Sequence, residues 1–283
     1  MWFTSRSQTR KNDDFIEEPL IVETPLMPGQ SQVSGNVMFY SKPEPLSVAA
    51  HGHLGVKQID RPFQFLRTEH AVPLTTNEFG MAASSYPIIF VGENRAPIAV
   101  MGIRQGQNLY VSAEGIPSED HYIPAFVRRY PFVFANDDSR EQLLLCVDRD
   151  APMVSDTPDV AFFDGQEPSE FTKNAIEFCK EFERQRRGTD LFLNIMKEHD
   201  LFEEKTVNFQ PRDANGQESG APQKIADYWA ISEERLNNLS AENFQKIRET
   251  GALSVIYAHF ISLLLWPQVI SRAIKMPQQA GTA

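Results

Sequence analysis

Two segments of this chain present the same order of residues, and that order most constrains the fold. Tyr86–Phe90 reads Tyr-Pro followed by three apolar residues, and so does Tyr130–Phe134. A helix-like stretch precedes each one, at Glu78–Ser85 and at Ala125–Arg129, and a polar turn with a second apolar run follows. Proline cannot continue a helix, and it drives the residue before it out of the helical region. The pattern therefore predicts one helix-and-hairpin unit that is used twice.

Two such units also predict how the core is built. Elements that each expose one apolar face bury that face against another layer. The two copies are therefore expected to superpose and to face each other, so that Phe90 and Phe134 meet in a shared core.

The rest of the chain divides by composition. Residues 36–150 are β-rich and hold both units, and residues 151–276 carry helical signals. A stretch rich in Pro, Asp and Gly, Asp150–Gln166, connects them. Apolar residues near the helical period predict a helix that Gly188 closes, followed by a second helix at Leu191–Lys197. The fold class is α+β, with a helical C-terminal half packed on the β-rich half as one continuous domain.

The two ends of the chain have different compositions. Residues 1–35 are polar and charged and predict a disordered leader, and residues 277–283 predict a short tail. Met1–Thr24 lacks the apolar region of a signal peptide, so a cytoplasmic location is expected. Ala252–Trp266 is strongly apolar but short for a membrane span and is followed by Pro267. It predicts a buried core helix, with Phe260 and Leu263 in the core, and no integral membrane insertion.

Charge and cysteine content exclude several classes. The net charge of −11 disfavours nucleic acids and anionic membranes as partners, since both attract a basic surface. Cys146 and Cys179 are typical of buried free thiols. His51 and His53 could form part of a metal site or lie in a solvated loop, but no neighbouring ligands complete a set. We therefore predict no metal and no cofactor, and folding that needs neither.

Adjacent arginines make the most informative polar cluster. Arg128, Arg129 and Tyr130 end the second helix-like stretch, where the first unit has two serines. One arginine could pair with Asp148 or Asp150 and clamp the hairpin. Alternatively, the guanidinium groups could bind an anion or a carboxylate, because they present a planar fork of donors.

A second pair of candidate binding residues lies in the last apolar helix. His259 lies beside Tyr257 in a segment with few other polar groups. It is either a core histidine with one hydrogen bond or a proton-transfer residue. Asp148 and Asp150 could form an acid/base pair or lie in a surface turn, and nothing in the sequence separates the environments of the two carboxylates, so no catalytic residue is assigned.

The most specific segment of the chain is Ile123–Phe132, which reads Ile-Pro-Ala-Phe-Val-Arg-Arg-Tyr-Pro-Phe. Other characteristic segments occur in order along most of the chain, and they are Met38–Tyr40, Ala71–Leu74, the two Tyr-Pro segments, Leu145–Asp148, Phe163–Gly165 and Ile256–His259. Together and in this order, these segments resemble the bacterial SapC family.

The resemblance implies a role linked to the cell envelope or to a paracrystalline surface layer. A non-catalytic accessory protein that binds another protein is the expected function, and surface association would then need a dedicated export route. The alternative is an enzyme or ligand-binding module that acts on a peptide or carbohydrate, alongside companion uptake receptors or flavin halogenases. The peptide-transport permease of the same name is a different protein. The sequence leaves the oligomeric state open.

Overall fold

The computed structural model describes residues 38–137, 142–211 and 220–275. Thirteen strands lie in these ranges: β1 Pro43–Pro45, β2 Gly55–Val56, β3 Ala71–Pro73, β4 Ile88–Val91, β5 Ala96–Val100, β6 Phe132–Asp137, β7 Gln142–Asp148, β8 Val154–Ser155, β9 Val160–Ala161, β10 Phe163–Asp164, β11 Glu167–Pro168, β12 Phe202–Phe209 and β13 Gln223–Ile231. The predicted leader and tail lie outside the described residues.

Eight α-helices and two short 3₁₀ helices lie in the same ranges. The α-helices are α1 Val48–His51, α2 Phe79–Ala82, α3 Ala125–Arg128, α4 Glu170–Glu198, α5 Glu233–Asn237, α6 Ala241–Glu249, α7 Ala252–Leu263 and α8 Trp266–Lys275, and the 3₁₀ helices are Gln64–Leu66 and Thr76–Glu78. The mixture of helices with several antiparallel sheets confirms the α+β class.

A five-stranded antiparallel sheet forms the centre of the molecule, with the order β12-β13-β4-β5-β3. Its first two strands come from the C-terminal half of the chain, so that half is not only helical. A second sheet, β1-β7-β6, holds the second hairpin. Two smaller sheets, β8-β2-β9 and β10-β11, are formed by the strands of the connection before α4 together with β2 from the N-terminal part of the described chain.

Helix α4 contacts both hairpin units, one with each half. Near its N-terminal half, Cys179 packs in the same cluster as Phe132 of the second unit. Near its C-terminal half, Phe192 lies 6.4 Å from Phe79 of the first unit, measured between ring centroids. The helix also runs through Gly188 without interruption, so the predicted break at that residue is wrong.

The hydrogen bonds around Gly188 explain why α4 continues. Arg186 forms ion pairs with Glu183 and Asp190, which lie one turn before and one turn after it. Thr189 accepts a hydrogen bond from the Thr76 amide at 2.9 Å. A helix interior tolerates one glycine at a cost of about 1 kcal/mol, which such contacts offset.

The expected face-to-face packing of the two units is wrong. Phe90 lies in the main core around the five-stranded sheet, whereas Phe134 packs at the edge of a separate cluster beneath β6 and β7. Each unit packs on α4, and its strands pair with strands distant in sequence. Val127, from the helix of the second unit, nevertheless lies in the main core with the first unit. Both units keep the order of helix, Tyr-Pro, strand, turn and strand, and their superposition stays a prediction.

The C-terminal helix is buried on one face only, which corrects the expectation of a fully buried helix. Ile256, His259 and Ser262 of α7 face the sheet, while Phe260 and Leu263 are half-buried. Pro267 does not end the helical path, because it occupies the first turn of α8, where proline is well tolerated. By length and composition, Ala252–Lys275 could cross a membrane, and 33% of its most apolar window is buried.

Candidate functional site

The two adjacent arginines have different environments. Arg128 is exposed, and its Nε donates to the Ile123 carbonyl at 2.9 Å while Nη2 donates to the Tyr122 hydroxyl at 3.1 Å. Arg129 is only 3% exposed. A helix turns by about 100° per residue, so consecutive side chains point to different sides.

Arg129 lies in a pocket of aromatic rings. Its guanidinium carbon is 4.2 Å from the ring centre of Phe126, 4.7 Å from that of Phe182 and 5.8 Å from that of Tyr40. Cation–π attraction of this kind is worth about 2 kcal/mol when desolvated. Nε and Nη2 of Arg129 have no hydrogen-bond partner among the described residues. Burial raises the pKa of the nearby Tyr40 hydroxyl, and the charge of Arg129 opposes that rise.

Asp148 is fully buried but does not clamp either arginine. Its carboxylate accepts hydrogen bonds from the amides of Ser41 at 3.0 Å and Lys42 at 2.8 Å, and from the Tyr130 hydroxyl at 3.1 Å. Neither Asp148 nor Asp150 forms an ion pair with Arg128 or Arg129, so the predicted clamp is wrong. Asp148 instead ties the start of the described chain to the second hairpin.

The Tyr130 hydroxyl belongs to the same buried polar group. Burial raises the pKa of Tyr130, and the negative charge and hydrogen bond of Asp148 raise it further. A carboxylate with three or more donors is well satisfied in a buried place. Tyr130 and Asp148 therefore act together as an internal anchor.

The buried glutamate Glu78 fixes the position of Tyr122, and the Tyr122 hydroxyl in turn bonds to the exposed Arg128. Glu78 receives four hydrogen bonds: from the amide and hydroxyl of Thr75, from the Tyr122 hydroxyl at 2.9 Å and from the Ala125 amide at 2.6 Å. Tyr122 thus donates to Glu78 and accepts from Arg128. Burial raises the pKa of Tyr122 to about 12, with the charge of Glu78 as the next cause. The tyrosine stays protonated and links the two charges.

Sequence reasoning missed Glu78 and Tyr122. The spacing Thr75-x-x-Glu78 is a capping-box signal, and both of its hydrogen bonds are present. That signal could have identified the N-terminal cap, but not the contacts to Tyr122 and Ala125. Those contacts join residues far apart in the chain and depend on the tertiary structure.

An open depression of about 480 Å³ lies beside Arg128. Its lining combines the end of the first unit with the entrance to the second: Met81, Ser84, Ser85, Glu119, Asp120, His121, Tyr122, Ile123 and Arg128. The Ser85 hydroxyl accepts from the Tyr122 amide at 3.0 Å, and the Tyr86 hydroxyl donates to the Tyr122 carbonyl at 2.7 Å. The serines and Arg128, which distinguish the two units in sequence, therefore line one surface.

His121 connects this depression to α8. Its Nε2 lies 3.0 Å from Nη2 of Arg272, and because arginine only donates, Nε2 accepts and Nδ1 carries the proton. Arg272 also stacks over the ring of Tyr110 at 4.6 Å. Burial lowers the pKa of His121, and the charge of Arg272 lowers it further. The acceptor nitrogen of His121 is thus occupied.

Tyr257 and His259 lie away from this depression. His259 is fully buried, with Nε2 accepting from the Ile231 amide at 3.1 Å and Nδ1 donating to the Ile88 carbonyl at 2.9 Å. Strands β4 and β13 are paired only at Phe90 and Trp229, so the imidazole bridges the strands beyond their ladder. Burial lowers the pKa of His259 to about 4, which keeps the ring neutral.

The remaining histidines and cysteines considered in the sequence analysis do not form a shared site either. His51 is buried against Glu44 at 3.3 Å, while His53 is exposed. Within the part of the chain that the structure describes, no three His, Cys, Asp or Glu side chains are grouped so that they could hold a metal ion. Independence of folding from metal stays a prediction. Burial raises the pKa of Cys146 to about 11 and of Cys179 to about 12, so both are inert thiols.

The described residues therefore form an α+β fold in which a long helix supports two hairpin units. An open polar depression and a half-exposed apolar helix lie on its surface. A protein-family model described as SapC matches residues 46–269, which is most of the chain. The protein belongs to the SapC family. No curated protein and no solved structure matches it.

Proposed function

We propose that this protein is a non-catalytic accessory protein of the cell envelope or surface layer, and that it binds a partner protein through the outer face of α7. The observation that supports this most directly is a stripe of exposed apolar side chains on that face. Tyr257 is 49% exposed, Ile261 58% and Leu264 74%. Membership of the SapC family supports the envelope role.

These three residues form one narrow line on the helix. Their spacing of four and three residues places them on the same side of successive turns. Other large exposed apolar residues of the described chain, such as Leu191 on α4 and Val160 on β9, lie on separate elements. Single exposed apolar residues are common, but a contiguous line of them marks an interaction surface.

The inner face of α7 keeps the stripe at the surface. His259 bonds to strands β4 and β13, and the Ser262 hydroxyl accepts from the Ile88 amide at 3.0 Å. Rotating the helix to bury the stripe would break these three buried hydrogen bonds. Each buried group left unsatisfied costs about 1–3 kcal/mol, so the exposed face is built into the fold.

The partner should present an apolar surface with little charge. Residues 251–271 contain no Asp, Glu, Lys or Arg, so this face offers no ion pair for recognition. Aliphatic and aromatic anchors at helical spacing are the means by which a helix binds an apolar groove. The net charge of −11 argues against an anionic bilayer as the alternative.

The test compares two matched variants in the native cell. Ile261→Glu with Leu264→Glu places charge on the stripe, and Leu191→Glu places it on an equally exposed apolar residue of α4, 65% exposed. We expect cross-linking to recover one envelope protein with the wild type and with Leu191→Glu, but not with the double variant. The purified partner should then bind directly with the same dependence.

Three results would contradict this function. One is equal partner recovery with both variants. Another is stripe-dependent flotation with neutral phosphatidylcholine vesicles, which would make the stripe a lipid-binding face. The third is stripe-dependent self-association in sedimentation. Cell fractionation, with and without surface proteolysis, tests the envelope location independently.

Ligand binding is a second candidate function, and the depression beside Arg128 favours it. Catalysis has less support there. The Ser84 hydroxyl donates to the Met81 carbonyl, and the acceptor nitrogen of His121 is occupied by Arg272. Activation of a serine needs a hydrogen bond to a free base. The depression is therefore better suited to holding a ligand than to transforming it.

A further inference from the structure

The depression beside Arg128 contains charges of opposite sign that form no ion pair with any other described residue. Glu119, Asp120 and Arg128 line it and are exposed. None of the ion pairs between described residues involves any of the three. A surface with both signs of charge is complementary to a ligand that also carries both.

Arg128 is held in place before any ligand arrives. Its Nε and Nη2 are bonded to Ile123 and Tyr122, and its guanidinium lies 5.2 Å from the ring centre of Phe178. Tyr122 is in turn fixed by the buried carboxylate of Glu78 at 2.9 Å. A guanidinium held by three contacts loses little side-chain entropy on binding, so it is pre-organised to receive a carboxylate.

The acidic edge is fixed by its backbone. The His121 amide donates to the Glu119 carbonyl at 2.6 Å, and the Tyr122 amide donates to the Ser85 hydroxyl. The turn that carries Glu119 and Asp120 is therefore anchored at its end. Met81 and Ile123 add apolar surface to the same depression.

We propose that this depression binds a short apolar peptide of two or three residues with free ends. The peptide carboxylate would lie on Arg128, its ammonium group at Glu119 and Asp120, and its side chains against Met81 and Ile123. The volume of about 480 Å³ is in the range of small-ligand sites. A polyanion would be repelled by the two carboxylates, and a polycation would leave Arg128 without an anionic partner.

This inference rests on the ligand-binding candidate and not on the stripe of α7. The test is calorimetry on the full chain with leucyl-leucine and trileucine as probes, each with free ends, with the amine acetylated, or with the carboxylate amidated. We expect a free-ended peptide to bind, and each blocked form to bind roughly 10-fold more weakly, because one charge-assisted hydrogen bond is lost.

Binding to variant proteins tests which residue contacts each end of the peptide. Arg128→Gln should bind the free and the amidated peptide equally, and Glu119→Gln with Asp120→Asn should bind the free and the acetylated peptide equally. Arg184→Gln, which changes an exposed arginine on α4, and the α7 double variant should both bind as the wild type does. Melting temperatures report whether each variant is folded.

The inference is overturned if no free-ended peptide binds at millimolar concentration, or if blocked and free peptides bind equally. Binding of maltotriose with the same dependence on Arg128 would also overturn it, because a neutral sugar has no charged ends. None of these three results would affect the docking function of α7, since the variants that test it change a different surface.

Discussion

The two hairpin units share an order of elements but differ in burial. In the first unit every residue of β4 and β5 is buried. In the second, Phe132 and Val133 of β6 are buried, but Phe134 and Ala135 are only partly covered, and Leu143 of β7 is exposed. Similar local sequence thus leads to a central core strand in one case and to a peripheral hairpin in the other.

The neighbours of each hairpin explain the difference. Strands β4 and β5 lie between β13 and β3, and α7 and α2 pack close to them. Strands β6 and β7 have the three-residue β1 on one side, the N-terminal half of α4 on one face, and Tyr40 against Val133 and Cys146 on the other face. A hairpin pattern selects local pairing, while elements from distant parts of the chain decide how deeply the hairpin is buried.

The largest expected effect comes from the phenylalanines that occupy corresponding positions. Phe90→Ala should lower the free energy of unfolding by about 3–5 kcal/mol, because Phe90 is fully buried against Phe79, Phe202 and His259. Phe134→Ala should cost about 1–2 kcal/mol, since its ring is partly exposed. Urea denaturation measures both, and equal losses would show that the two hairpins contribute alike.

The second prediction concerns the stability of the second unit and uses charge reversal at its two adjacent arginines. Arg129→Glu should destabilise the protein by about 3 kcal/mol, because it replaces a cation among aromatic rings with a buried carboxylate. Arg128→Glu should change stability by less than about 1 kcal/mol, as expected at an exposed site. If the arginine cluster is a binding site, the sequence predicts that reversing both charges weakens partner binding without unfolding the protein. The burial of Arg129 leads us instead to expect a loss of stability at that residue. Thermal melting of the two single variants measures this difference in stability.

The bridge between β4 and β13 makes stability depend on pH. The pKa of His259 is about 4 in the folded protein and about 6.5 in the unfolded chain. The unfolded state therefore binds more protons between these values, and stability is lost as pH falls, by up to about 1.4 kcal/mol per pH unit. Burial also lowers the pKa of His70 and His121, which adds in the same direction.

A variant isolates the contribution of His259. His259→Gln should cost about 2 kcal/mol at pH 7.5, because one amide side chain cannot make both buried hydrogen bonds, and its stability should vary less with pH below 6.5. His53→Gln, which changes an exposed histidine, serves as the control. An unchanged pH dependence in His259→Gln would assign the effect to other groups.

The last comparison is between the two faces of α7, where the smallest effect of all is expected at Ile261. Ile256→Ala on the buried face should cost about 2–4 kcal/mol, whereas Phe260→Ala and Leu263→Ala at its flanks should cost about 1–2 kcal/mol because both are half-buried. Ile261→Ala on the stripe should cost less than about 0.5 kcal/mol. A loss at Ile261 as large as that at Ile256 would mean that the stripe is covered in the free protein.

Several features follow from local residues alone. Both hairpins, the helix before each Tyr-Pro pair and a helix over the first part of α4 are predicted from short-range patterns, whereas the predicted break at Gly188 is wrong. Ser169 caps α4 by accepting from the Thr172 amide at 3.3 Å, which is a contact between near neighbours. The Arg-Arg-Tyr cluster was correctly placed at the end of a short helix, yet its two arginines proved to have opposite environments.

The sequence by itself determined the α+β class, the two hairpins and the family, because these depend on periodicity, proline positions and ordered motifs within one segment. Only the tertiary structure decided that β12 and β13 extend the first hairpin's sheet, that His259 bridges strands 171 and 28 residues away in the chain, and that Glu78 supports Arg128 through Tyr122. These contacts join residues whose local patterns carry no information about each other. Burial and hydrogen bonding across such distances depend on which surfaces meet, and that is settled only when the whole core is assembled.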